Sequence, residues 1–306
     1  MTQPQPARNR GGVDALLPFL FEDAPVRGAL VRLEGTSRAI LACHDYPAPL
    51  ASALSELLAA SALLASTLKL DGSLVVQLSG DGPVRLLVVD CNGALDVRAT
   101  AQWDDAAVAA LGARASLASL AGGARHGRLA LTLDQRGAGT LYQGIVSLDT
   151  TSIAASIEHY LATSEQLPSR LWLLPEGDGV TGLLLQRLPG AEDGDAPAWP
   201  RLVASADRAL AAAARERAVP RALSRLFPHD DVRVFRARPV QFRCRCSSGR
   251  VANALRIAGR AEIEAALEER GIVEVTCEFC GRRYTFTPAQ ARALFTNPPS
   301  SRIALQ

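Results

Sequence analysis

The chain of 306 residues reads as an α+β protein. Three observations point there. Strand-like runs follow one another with turn residues between them and few intervening helices, unlike the strict alternation of a doubly wound parallel sheet. A composition break near residues 190–200 separates these runs from an alanine-rich helical stretch. Four cysteines in two close pairs then mark a small C-terminal module. The predicted architecture is an N-terminal, mostly antiparallel sheet domain with helices over 13–189, a weakly held helical linker over 190–242, and a cysteine module over 243–290.

Taken in order, Val26 to Leu41 reads as two short strands around Glu34-Gly35-Thr36. A long helix starts near Leu50 and ends before Asp71-Gly72. It is apolar enough to resemble a membrane span, but Ser52, Ser55, Glu56, Ser61, Ser66, Thr67 and Lys69 argue for a buried or amphipathic core helix. A meander follows: Leu74–Leu78, the turn Gly80-Asp81-Gly82-Pro83, Val84–Val89, the turn Asn92-Gly93, and Leu95–Ala99. Leu129–Leu133 and Leu141–Leu148 form a hairpin around Gly137-Ala138-Gly139, Ile153–Ala162 is helical, and Leu171–Leu174 and Gly182–Leu188 close the domain.

Gly190 to Pro200 is acidic and punctuated by glycine and proline, which marks a boundary. Beyond it, Leu202 to Arg217 is helical, with Val203, Ala206 and Leu210 on one face. Pro220 opens a second short helix carrying Leu223, Leu226 and Phe227, and Pro228 ends it. Helices this short are marginal alone and hold their shape by docking.

Composition bounds the function classes. Hydrophobic residues make up 48% and charged residues 21%, a globular balance. A net charge of +2 makes the whole molecule a poor electrostatic match for nucleic acid or anionic membrane. Lys69 is the sole lysine among 33 basic residues, a skew that fits genome composition better than arginine chemistry. The first dozen residues lack the apolar run of a secretory signal, and the clustered cysteines fit a reducing compartment, so the cytoplasm is expected.

The chemistry-bearing residues are Cys244 and Cys246, then Cys277 and Cys280, with 30 residues between the two pairs. Two close pairs can converge on one tetrahedral metal, and a Cys₄ set selects Zn²⁺. No histidine follows His229 to replace a sulfur. Gly281 permits a tight turn after the second pair, and Tyr284 and Phe286 alternate like a strand that can cover the site. Arg243, Arg245, Arg282 and Arg283 flank a site whose four thiolates and zinc would carry a formal charge of −2. The one-residue gap of Cys244-Arg-Cys246 departs from the usual C-x₂₋₄-C, so zinc binding and disulfide chemistry compete for the same sulfurs. From ligand spacing alone an inert structural knuckle is the favoured reading, since most Cys₄ sites are structural.

Other motifs weigh less. Cys43-His44-Asp45 has the residue types of a nucleophilic triad, but consecutive residues do not aim at one substrate atom. Cys91 reads as a core cysteine at a strand end. Gly80 to Pro83 lacks the Gly-Lys-Ser/Thr of a phosphate loop. With no paired carboxylates and no dinucleotide fingerprint, an enzyme reading has nothing to rest on. The alternative from another class is a zinc-ribbon nucleic-acid binder with a purely structural Cys₄ site. From Arg243 onward there are 10 arginines against 6 glutamates, yet Glu262, Glu264, Glu268 and Glu269 cluster on the central helical segment, a poor surface for phosphates.

Several strings together with the four cysteines resemble the redox-regulated 33-kilodalton heat-shock chaperone family. They are Val26-Arg-Gly-Ala-Leu30, His44-Asp-Tyr-Pro47, Thr67-Leu-Lys-Leu-Asp-Gly72, Val76-Gln-Leu-Ser-Gly-Asp-Gly-Pro83, Tyr142-Gln-Gly144, Ser164-Glu-Gln-Leu-Pro168 and Gly182-Leu-Leu-Leu-Gln186. The resemblance runs from about Val13 to Phe286, and its most specific element is C-x-C…C-x-x-C-G. It implies a holdase without ATP hydrolysis that is inactive while reduced, with one Zn²⁺ per chain on Cys244, Cys246, Cys277 and Cys280. It further implies that oxidation pairs Cys244 with Cys246 and Cys277 with Cys280, releases zinc and unfolds the linker. The implied partners are unfolding client proteins and, on activation, a second copy of the chain; membrane and nucleic acid are not among them. The dozen extra N-terminal residues and the Arg/Ala-rich linker depart from the family pattern.

Overall fold

The computed structural model describes residues 14–68, 70–112, 115–123, 127–135, 141–148, 152–189, 198–216 and 218–296. The chain divides into two compact units, Met1–Arg243 and Cys244–Gln306. The first begins with β1 (Ala15–Phe21), β2 (Val26–Leu33), α1 (Gly35–Leu41), α2 (Ala48–Thr67), β3 (Gly72–Ser79), β4 (Val84–Asn92) and β5 (Asp96–Trp103). It continues with α3 (Asp105–Leu111), α4 (Leu117–Ala121), β6 (Arg128–Gln135), β7 (Leu141–Ser147), α5 (Ile153–Thr163), β8 (Ser169–Glu176) and β9 (Gly179–Arg187). Then come α6 (Ala198–Ala213), α7 (Val219–Leu226) and the short strands β10 (Val232–Val234), β11 (Arg238–Pro239) and β12 (Gln241–Phe242). The second unit holds α8 (Ser248–Ala258), α9 (Arg260–Arg270), β13 (Val273–Thr276), β14 (Arg283–Phe286) and α10 (Pro288–Thr296).

Two sheets build the first unit. One runs β10-β1-β2-β9-β8 with β11 also on β1, the other β12-β5-β4-β3-β6-β7. Their pairings are antiparallel except β12 with β5, which is parallel. This is the predicted α+β class.

Helix α2 lies between the sheets, which explains its composition. Its residues pack against β2, β8 and β9 on one side and β3, β4 and β5 on the other. A helix that is apolar all round belongs in a core. It is the one described helix long and apolar enough to cross a membrane, and 72% of that window is buried.

The strand alternation of β1 and β2 supplies two faces. Leu16, Val31 and Leu33 meet α2, while Leu17, Phe19 and Leu30 point the other way. That second face is covered by α6 and α7 through Leu202, Ala206, Leu210, Leu223, Leu226 and Phe227. Phe227 packs edge-on to Phe21, with ring centroids 4.9 Å apart at 88°. Gly28 leaves room for the Phe19 ring to lie across β2, since a Cβ there would come within 2.2 Å of it.

Residues 232–243 are tied to the same unit by main-chain bonds. Phe235 N donates to Pro18 O at 3.0 Å, Val240 N to Asp14 O at 3.0 Å, and Arg243 N to Val97 O at 2.9 Å. The Thr36 hydroxyl donates to Val240 O at 3.1 Å.

One expectation is corrected. The second of the two strands read between Val26 and Leu41 is the helix α1. Its N-terminal amides are capped from outside, because the buried carboxylate of Asp14 accepts from Glu34 N at 2.9 Å and Gly35 N at 3.2 Å, and also from Thr36 N. The turn at Gly137-Ala138-Gly139 and most of the break at Gly190 to Pro200 lie outside the described residues.

Candidate metal and redox centre

The second cysteine pair is placed by a hairpin. β13 and β14 pair from Val273↔Phe286 to Thr276↔Arg283, so Cys277 and Arg282 sit at its tip, where Cys277 N donates to Arg282 O at 2.9 Å. Cys280 N and Gly281 N both donate to Cys277 O, at 3.2 and 2.8 Å, curling the chain so that both sulfurs face one point. Gly281 takes φ 66°, the left-handed conformation that glycine adopts at no steric cost. The first pair lies just ahead of α8, whose N-cap Ser247 accepts from Arg250 N at 3.3 Å.

All four sulfurs lie within 4.8 Å of one another. Cys244 Sγ lies 3.7 Å from Cys277 Sγ, and Cys246 Sγ lies 3.5 Å from Cys280 Sγ. A tetrahedral ion with metal–sulfur bonds of about 2.3 Å separates its ligands by about 3.8 Å. The donor set and its spacing therefore fit such a metal, and none of the four is in a disulfide.

The Tyr284 hydroxyl donates to Cys246 Sγ at 3.0 Å. Burial raises the Cys246 thiol pKa, but this bond and the neighbouring sulfurs outweigh burial and bring it below its ordinary value. Burial pushes the Cys244 and Cys280 thiols up. The alternation of Tyr284 and Phe286 was readable from sequence; the hydrogen bond to sulfur was not. Its only local sign is a phenol four residues beyond the last cysteine.

The unit around the site has a small apolar core of Val251, Leu255, Ile263, Leu267, Val273 and Ala291. α10 is held by Arg256 Nε donating to Leu294 O at 3.0 Å and by the Arg292–Glu264 ion pair at 2.9 Å.

The other cysteines belong to the first unit. Cys43 Sγ donates to Ala39 O at 3.3 Å, while the neighbouring His44 ring stacks edge-on against Tyr46 at 5.4 Å. These are contacts of a structural turn. Cys91 is fully buried.

Comparison with known proteins agrees along most of the chain. A family model described as Hsp33 protein matches residues 14–287. The 33 kDa chaperonin of Nitrosococcus oceani is 41% identical over 283 residues, covering 92% of this chain and 94% of that protein. The 33 kDa chaperonin of Azotobacter vinelandii is 43% identical over 282 residues, covering 90% and 93%. The crystal structure of the 33 kDa chaperonin from Thermotoga maritima has a TM-score of 0.75 at 22% identity, covering 92% of this chain and 98% of that one. With its two sheets, its four gathered thiols and these relatives, the chain belongs to the Hsp33 family of chaperones.

Proposed function

We propose that the protein is a redox-regulated holdase of the cytoplasm that binds unfolding proteins without ATP and carries out no catalysis. The observation that carries this reading is the cluster of four thiols at tetrahedral spacing in a unit with little core of its own. Cys244, Cys246, Cys277 and Cys280 would hold one Zn²⁺ while reduced. The ion, when bound, keeps the sulfurs deprotonated and contributes folding free energy, about 10–16 kcal/mol in zinc-finger peptides.

Oxidation acts on the protein's own sulfurs. Four thiolates, two peroxide molecules and four protons give two disulfides and four waters, with each peroxide taking two electrons from one cysteine pair. The bonds formed are Cys244–Cys246 and Cys277–Cys280. Disulfide sulfurs are poor zinc ligands, so the second unit loses its main source of stability. The main chain leads directly from the paired β12 and Arg243 to Cys244, so the loosening reaches the linker through the backbone. Release of α6 and α7 uncovers the apolar face around Leu17, Phe19 and Leu30, where clients and a second activated copy would bind.

The nucleic-acid reading finds less support. Glu262, Glu268 and Glu269 stand exposed on α9, and Glu264 engages Arg292.

The test is light scattering from a client unfolding on mild heating, with the protein added either reduced and zinc-loaded or oxidised by peroxide. Suppression by the oxidised form alone is expected. Equal suppression by both forms would remove the switch, and suppression by neither would remove the holdase.

A further inference from the structure

Helix α6 has no basic residue in its last turn. The free carbonyls at a helix C-terminus carry the negative end of its dipole and need donors. In this protein a cation from the sheet reaches the turn that follows them. Arg32 lies on the same face of β2 as Val26 and Leu30, the face that α6 and α7 cover. Its Nη1 donates to the carbonyl oxygen of Ala214 at 2.8 Å and also to that of Glu216. Both acceptors lie in the turn that ends α6, where Ala214 N donates to Leu210 O at 2.8 Å and Glu216 N to Ala213 O at 3.0 Å. A second strand contributes one further polar tie, Trp172 Nε1 donating to Asp207 Oδ1 at 2.7 Å.

We propose that Arg32 couples the folding of α6 to its docking, and thereby sets how far the linker must be loosened before the covered face opens. This rests on the redox-holdase reading. While docked, the turn that ends α6 has the carbonyls of Ala214 and Glu216 held by a guanidinium, which also places a positive charge at the helix's negative end. Once lifted from β2 the turn loses that donor and its charge, and most of a protein helix's stability comes from tertiary packing rather than propensity. Undocking and melting therefore coincide. The linker opens as one cooperative step rather than swinging away as an intact helix. Arg32 is a positioning residue here; it touches neither the sulfurs nor, while the linker is docked, any client.

The test compares Arg32→Met, Arg32→Lys and the parent chain, all reduced and zinc-loaded, by amide hydrogen exchange and by the peroxide dose that half-activates client protection. In Arg32→Met, exchange across residues 202–216 should rise about 10- to 100-fold, the scale of losing hydrogen bonds to a charged donor. Exchange in β1, β2 and β9 should stay as in the parent, and the half-activating dose should fall severalfold. Arg32→Lys keeps the charge but not the fork and should fall between the two. Unchanged exchange in α6, or a rise spread equally through β2 and β9, would overturn the proposal. So would faster α6 exchange with an unmoved peroxide dose. If the parent itself never protects a client after oxidation, the holdase reading fails, while the exchange comparison still decides whether Arg32 holds α6.

Discussion

Replacing Phe227 by alanine removes the ring that closes the linker onto the sheet. Phe227 is 3% exposed, and it meets Phe21 edge-on at 4.9 Å and Phe19 at 5.9 Å. Truncating a buried phenylalanine costs about 3–5 kcal/mol through lost transfer energy and the cavity left behind. The edge-on pair with Phe21 accounts for about 0.5–1.5 kcal/mol of that. The loss falls on the docked linker, since Phe227 caps α7 through its amide bond to Leu223 O at 3.1 Å and its ring packs on Phe19 and Phe21 of β1. At about 1.4 kcal/mol per factor of ten, the undocked fraction rises roughly 10²- to 4 × 10³-fold. Hydrogen exchange of the reduced, zinc-loaded variant should show this rise in α6 and α7 but not in β3, β4 or β6. The same variant should protect clients without oxidant. An equal rise throughout the first unit would refute the reasoning, because it would mean that the linker does not open separately from the core.

Two further outcomes follow from the geometry. Glu56 sits on α2 between the sheets, and burial lifts its carboxyl from an ordinary 4.5 to about 7. The unfolded chain releases this proton first, so stability is fullest below about pH 4.5, falls between 4.5 and 7, and stays low above. At about 1.4 kcal/mol per pK unit the difference is about 3 kcal/mol; Glu56→Gln should raise the urea midpoint at pH 8 and leave it unchanged at pH 4, and an equal gain at both would contradict burial as the cause. Chelating the metal from the reduced protein should abolish exchange protection in α8 to α10 and in β13–β14 while β1 to β9 keep theirs. Retained protection in the second unit would show that its six-residue core suffices.

The meander β3–β5 and the β8–β9 pair are legible in the sequence because glycine, proline and asparagine mark their turns. At the β4–β5 turn Asn92 Oδ1 accepts from Ala94 N and Asp96 N, at 3.0 and 2.8 Å. Helix α1 is not legible in the sequence because its capping acceptor, Asp14, lies 20 residues before Glu34, where no local pattern reaches it. Strands β10 to β12 are two or three residues long, too short for periodicity, and exist because β1 and β5 offer them an edge. Helix α10 did carry a readable sign. Thr287 and Gln290 form a reciprocal capping box, with amide–side-chain bonds of 3.0 and 3.3 Å. The four cysteines were legible because ligand spacing is local on each side of the site, whereas the approach of Tyr284 to Cys246 depends on how the hairpin and the first pair come together.

The placement of α2 also has a consequence for biogenesis. Two of its three sheet partners on one side, β8 and β9, are translated last among the strands that cover it. From Leu68 to Arg187 there are 120 residues. At about 5–20 residues per second, their synthesis takes about 6–24 s. Throughout that interval a helix with the length and hydropathy of a membrane span is on the ribosome without two of the strands that cover it. The nascent chain therefore passes through a state of the kind that holdases bind, and its own maturation should depend on whatever shields apolar segments near the ribosomal exit.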